Sequence, residues 1–148
     1  MTITVRKMAV DDYSVWARMR TELWSKLSAM EHLIDIANWT SRGMFTGYAA
    51  LLPSQDAVGF AEISIRDYAN GCREQPVPFL EGIWVDPQHR GHGVAKALLN
   101  GICEDLSRSG FTELCSDAGI DNHASHAAHQ SWGFAETERV VYFRKPLR

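Results

Sequence analysis

The chain has 148 residues, 45% hydrophobic and 22% charged, with 15 basic against 18 acidic side chains and a formal net charge of -3. These proportions exclude wholesale disorder and collagen-like repeats, and the charge balance leaves no footprint for nucleic acid. No apolar run approaches the roughly 20 residues a bilayer span requires, so no membrane segment is expected. The first residues, Met1 to Lys7, lack the apolar stretch of a signal peptide. A chain of this length is expected to bury roughly 68–70% of its unfolded surface, enough for one domain over residues 1–148 with a core and a cleft. Cys72, Cys103 and Cys115 are odd in number and widely spaced, which predicts free thiols in a reducing compartment, and hence a cytoplasmic protein.

Ile3-Thr-Val5 alternates like a short strand. Tyr13, Trp16, Arg20, Leu23 and Trp24 then fall at helical spacings between Asp11 and Trp24. Ser28-Ala-Met-Glu31 is a capping box, predicting a second helix that ends near Arg42-Gly43. Met44–Leu52 and Val58–Arg66 read as a hairpin around the turn residues Pro53 to Ala57. Asp67–Pro78, with Asn70-Gly71, Pro76 and Pro78, reads as a long loop of the functional kind. Phe79–Val85 is a strand candidate stopped by Asp86-Pro87. Val94–Leu106 is a helix, Thr112–Ser116 a short strand, Asn122–Trp132 a helix closed by Gly133, and Phe134 and Val140–Phe143 final strands. This order predicts an α/β domain with a mixed sheet and one β-α-β unit.

The most informative stretch is Trp84 to Leu99, where a buried strand gives way to a glycine-rich turn and a helix. Such a turn aims several backbone N–H groups at one point, at the positive end of a helix, and suits a pyrophosphate. A P-loop would require Lys-Ser or Lys-Thr after the glycines; a Rossmann fingerprint would require a third glycine where Lys96 stands. Arg90-Gly-His-Gly93-Val-Ala95 instead resembles the coenzyme A loop of the GNAT N-acyltransferase superfamily. Asn122, Ser125, His129 and Gly133-Phe134 resemble its second signature, with histidine where most relatives carry tyrosine. Ile65-Arg-Asp-Tyr68-Ala-Asn-Gly71, Phe79-Leu-Glu81-Gly-Ile83, Ser116-Asp117 and Glu136-Thr-Glu138-Arg-Val-Val-Tyr-Phe143 are more specifically similar to aminoglycoside 6′-N-acetyltransferases.

That resemblance implies a GNAT-type mixed, mostly antiparallel sheet flanked by helices, with acetyl-CoA as co-substrate, no metal, and a homodimer. It implies that the strand Ile83, Trp84 and Val85 meets the pantetheine arm. Arg90, Gly91, His92, Gly93, Val94 and Ala95 would hold the pyrophosphate, and Asn122 the pantetheine amide region. Trp24, Tyr68, Glu81, Asp117 and Glu138 would line the aminoglycoside cleft. Glu81 or Asp117 would take the proton of the 6′-ammonium, and His129 would return one to the thiolate, as an imidazolium with a reference pKa of about 6.5 can do.

Each residue also has a plainer reading. Trp24 and Tyr68 suit a core, Asp117 suits a turn, and Glu136 suits a solvated face. His123, His126 and His129 fan around their helix rather than sharing one side, which opposes a metal site. Glu81, Asp117 and Glu138 suit any cationic amine, so a polyamine, a peptide N-terminus or a lysine is the alternative substrate. A coenzyme A-binding sensor without catalysis is a third reading, which Glu81 and His129 together oppose.

Overall fold

A computed structural model describes residues 2–148. Four antiparallel strands lie in sequence order: β1 (Thr4–Lys7), β2 (Phe45–Leu51), β3 (Ala57–Arg66) and β4 (Val77–Val85). The helices are α1 (Tyr13–Leu23), α2 (Ala29–Ser41), α3 (Val94–Arg108) and α4 (His123–Ser131). The capping box holds: Ser28 Oγ accepts from the Glu31 N–H at 3.2 Å, and Glu31 accepts from the Ser28 N–H at 3.3 Å. Three apolar clusters form among the described residues, the smallest of Ala69, Val77, Phe79 and Cys115. Trp16, Met19 and Ile36 of α1 and α2 pack with Phe60 and Trp84, while Val94, Leu98 and Ile102 of α3 pack with Val58, Ala61, Ile63 and Leu80. From Phe60 onward the alternation of β3 feeds both of these, Phe60 one and Ala61 and Ile63 the other.

Three expectations change. β4 begins at Val77, ahead of Phe79, with Pro78 paired to Ile65. The expected strand Thr112–Ser116 shrinks to one parallel bridge between Phe79 and Cys115, which completes the β-α-β unit formed by β4 and α3. The expected strands at Phe134 and Val140–Phe143 do not form. Residues after Cys115 join no ladder although β1 and β4 both leave an outer edge open, and Tyr142 and Phe143 stand 78% and 92% exposed.

The cysteines also depart from expectation. Cys72 and Cys115, 43 residues apart, are disulfide-bonded, and only Cys103 is free. Spacing in sequence conceals the pair because the crossover through α3 returns Cys115 beside β4, under the Asp67–Pro76 loop that carries Cys72. Glu113 Oε1 accepts the Arg73 and Glu74 N–H groups at 2.5 and 2.7 Å, and Glu74 accepts from Thr112 in return. Cys72, Glu113 and Cys115 bring metal-type donors together. Their sulfurs are bonded to each other and the carboxylate is engaged with backbone. Denatured without reductant, the protein is expected to titrate one thiol, and three after reduction. Reduction should lower stability by about 2–4 kcal/mol through the freed loop.

Candidate active site

The register of β3 and β4 breaks at Glu81. Leu80 pairs with Ile63 and Gly82 with Glu62, leaving Glu81 without a partner as a β-bulge. A bulge turns the extra residue out of strict alternation and re-aims its side chain. Gly82 lies so close to α1 that a Cβ there would come 2.5 Å from the Trp24 ring. Glu81, next to it, is received by β3. Ser64 Oγ donates to Oε1 at 2.5 Å, Arg66 Nε donates to Oε1 at 2.9 Å, and Arg66 Nη2 to Oε2 at 2.9 Å. The Arg66 guanidinium lies over the Phe79 ring at 3.5 Å, a cation–π contact that fixes its plane. Glu81, with Asp117 and Tyr142 also nearby, raises the Arg66 pKa, so this group stays charged.

A second network holds Trp24. Glu62 is fully buried, and its Oε1 accepts from Trp16 Nε1 at 2.8 Å and Arg20 Nη1 at 2.7 Å. Arg20 Nε donates to His32 Nδ1 at 3.1 Å, which leaves His32 Nε2 to donate to the Trp24 carbonyl at 2.9 Å. The Arg20 guanidinium also lies over the Trp24 ring at 4.8 Å. Burial pushes the Glu62 carboxyl up to about 7, against the opposing pull of Arg20.

Beyond β4 opens a cleft of about 580 Å³, lined by Ile83, Trp84, Val85, Arg90, Gly91, Gly93, Val94 and Ala95 among others. Gly91 and Gly93 have φ of +79° and +81°, and a Cβ on either would meet nothing within 4 Å. The turn therefore requires glycine for its backbone, and it faces open space. Gly93 caps α3, whose N-terminus supplies free N–H groups beside it. Gly93→Val, straining the left-handed backbone and adding bulk, is expected to raise the KM for acetyl-CoA at least 10-fold, with the KM for the amine substrate little changed. Steady-state kinetics with each substrate varied in turn checks this.

The remaining expected residues fall unevenly. Arg90 turns Nε back to the Val85 carbonyl at 2.9 Å, which ties the loop to the strand end. His92 is exposed and outside the lining of the cleft, whereas His89 and Lys96 line it. Asn122 caps α4, its Oδ1 accepting from the Ser125 N–H at 3.1 Å. His129 lies between the Trp132 and Phe134 rings at 5.4 and 5.1 Å. Asp117 and Glu138 are exposed, and Tyr68 stands 66% exposed on its loop. That loop meets the C-terminal segment where Gly71 packs on Thr137 and Glu138. Arg20, His32, Glu62, Ser64, Lys96 and Trp132 escaped the sequence reading as site residues. Only Trp132, beside the Gly133-Phe134 signature, carried a local signal.

The pattern of the Acetyltransferase (GNAT) family matches residues 11–134. The chain belongs to the GNAT acetyltransferase family. Among its GNAT relatives, the aminoglycoside N(6′)-acetyltransferase type 1 of Stenotrophomonas maltophilia is 40% identical, over 97% of this chain and 94% of that one. That of Acinetobacter baumannii is 37% identical over 98% and 99%. The structure of AAC(6′)-Iy in complex with a bisubstrate analogue, CoA-S-monomethyl-acetylneamine, superposes with a TM-score of 0.90 at 36% identity, covering 99% and 100% of the two chains. The 6′-N-acetyltransferase AAC(6′)-Ih of Acinetobacter baumannii gives 0.89 at 36%, over 99% and 100%. No helix among the described residues is long and apolar enough to cross a membrane.

Proposed function

We propose that this protein transfers the acetyl group of acetyl-CoA to the 6′-amine of aminoglycoside antibiotics and so confers resistance to them. The observation that carries the reading is Glu81: a carboxylate at a bulge of β4, clamped by Ser64 and Arg66, next to the Gly82 that packs on Trp24 and two residues from Ile83 of the coenzyme-type cleft. A polycationic sugar calls for carboxylates and an aromatic wall in a partly desolvated site. The relatives bearing aminoglycoside acetyltransferase names match this chain from end to end.

In this reading Ile83, Trp84 and Val85 run beside the pantetheine arm. Arg90, Gly91, His92, Gly93, Val94 and Ala95 surround the pyrophosphate, and Asn122 serves the pantetheine amide region in addition to its cap. Trp24, Tyr68, Asp117 and Glu138 join Glu81 around the sugar. Glu81 or Asp117 takes a proton from the 6′-ammonium, directly or through water; the free amine attacks the thioester carbon. A strand N–H near Val85 stabilises the oxyanion. His129 serves the departing thiolate. Acetyl-CoA is an intracellular metabolite, so the protein works in the cytoplasm.

The exposed Val141, Tyr142, Phe143 and Leu147 favour a homodimer in which the C-terminal segment of each subunit finds its cover on the other. Sedimentation of the full chain, compared with a chain lacking residues 140–148, tests that part.

Thiol release from acetyl-CoA with tobramycin, spermidine and a lysine peptide tests the activity. Release with tobramycin, and none with an aminoglycoside bearing a 6′-hydroxyl, is the expected result. Release with spermidine alone would transfer the reading to another amine, and tight coenzyme A binding without release from any amine would make the protein a sensor.

A further inference from the structure

His129 does not face the cleft with a free nitrogen. Its Nδ1 lies 2.7 Å from the Ser125 carbonyl oxygen, which can only accept, so Nδ1 carries a proton. In the neutral ring Nε2 is then an acceptor, and at 2.8 Å it meets the Ser116 hydroxyl. The rings of Trp132 and Phe134 flank the imidazole and hold it in this pose.

Ser116 occupies a distinctive place in the fold. The Cys115 N–H donates to the Pro78 carbonyl at 3.0 Å, and the Leu80 N–H donates to the Cys115 carbonyl at 2.8 Å. These bonds make the last bridge between β4 and the returning chain. Ser116 is the next residue, at the apex of the fork where the two segments part, with Oγ 3.5 Å from the Leu80 carbonyl. The bulged Glu81 follows Leu80 on the opposite arm.

We propose that Ser116 is a proton relay between His129 and the thiolate that leaves at this fork. The inference rests on the acetyl-transfer reading above. With His129 neutral, the Ser116 hydroxyl points at Nε2. With His129 protonated, the bond reverses: Nε2–H donates to Oγ, and the hydroxyl proton turns toward the fork. As the carbon–sulfur bond breaks, the thiolate takes the Ser116 proton while Oγ takes the Nε2 proton. Neutral imidazole and an intact hydroxyl remain. The amine forms its bond to the acetyl carbon and the sulfur leaves as coenzyme A thiol; the ammonium loses two protons on becoming the amide, of which one replaces the proton His129 gave up and the other is the net proton released. The charged groups around this path are Asp117, next to Ser116 in the chain, the Arg66–Glu81 pair across the fork, and His126 on the same helix, whose Nε2 is bonded to the Gly119 carbonyl.

The test is kinetic with a double-mutant cycle. Ser116→Ala is expected to lower kcat about 10²-fold, the usual scale of a lost proton transfer, with the KM for acetyl-CoA within 2-fold. Ser116→Thr, which keeps the hydroxyl, should recover most of that loss. Because the two act as one unit, Ser116→Ala with His129→Ala should be no slower than either alone. Full kcat in Ser116→Ala, or a double variant slowed by the product of the single effects, overturns the relay. If the unaltered protein releases no thiol with any amine, the activity reading fails. The relay is then judged by nitrogen NMR of His129, where a protonated Nε2 and a bare Nδ1 in the neutral ring would overturn it.

Discussion

Glu81→Gln is expected to lower kcat/KM for tobramycin by about 10²–10³-fold at neutral pH, while the KM for acetyl-CoA stays within about 2-fold. Glutamine keeps the size of the side chain and an acceptor for the Ser64 hydroxyl, so the bulge and the sheet survive the change. What disappears is the group able to take a proton, together with the charge that faces Arg66. The guanidinium, held on the Phe79 ring, is left as an unopposed cation in a cleft that has to receive another cation. The two losses separate in the kinetics. A missing base lowers kcat, whereas an unopposed Arg66 raises the KM for the aminoglycoside. Asp117→Asn, at an exposed and unclamped position, is expected to cost less. If Glu81→Gln retains full kcat/KM across pH, Glu81 is a substrate contact and Asp117 becomes the base.

The second large effect is on stability, and its size depends on pH. Arg20→Ala removes the only cation bonded to Glu62 among the described residues, which also leave the Oε2 of this fully buried side chain without a partner. Leaving a buried carboxylate without its partner costs about 3–5 kcal/mol. Glu62 has an escape, because burial has already pushed its carboxyl up to about 7 from the ordinary 4.5. Below that value it holds a proton and requires no counter-charge. Urea unfolding of Arg20→Ala is therefore expected to show the full loss at pH 8 and a clearly smaller one at pH 5.5. The sign in the unaltered protein follows from the same proton. The unfolded chain releases it near 4.5 and the folded chain near 7, so the contribution of Glu62 to stability declines as pH rises through that window. Glu62→Gln should flatten this slope. An Arg20→Ala penalty equal at both pH values would show that Glu62 is ionised throughout.

Much of this was legible in the order of residues. The capping box at Ser28, the hairpin around Pro53, the helix from Val94 and the glycines of the coenzyme-type loop are local signals, and local geometry honoured them. The Arg20–His32–Glu62 network was hidden because Arg20 and Glu62 lie 42 positions apart, and each alone suits a solvated face. Glu81 was legible as a carboxylate in an apolar strand, but the bulge that aims it depends on pairing with β3, which no spacing within β4 reveals. The C-terminal apolar run Val140–Phe143 was misleading: such a run makes a strand only where it pairs, and the described residues after Cys115 join no ladder.

The bulge also bears on how this site is gained and lost. Glu81 is one residue more than the ladder requires, with regular pairing on either side of it. A chain with that single residue deleted would pair β4 with β3 without interruption, and the sheet would be more regular than before. It would also have lost the carboxylate that Ser64 and Arg66 hold. In the proposed reading a one-codon deletion thus separates a well-paired scaffold from a working one, and a chain with the shortened β4 is expected to fold and to release no thiol with tobramycin.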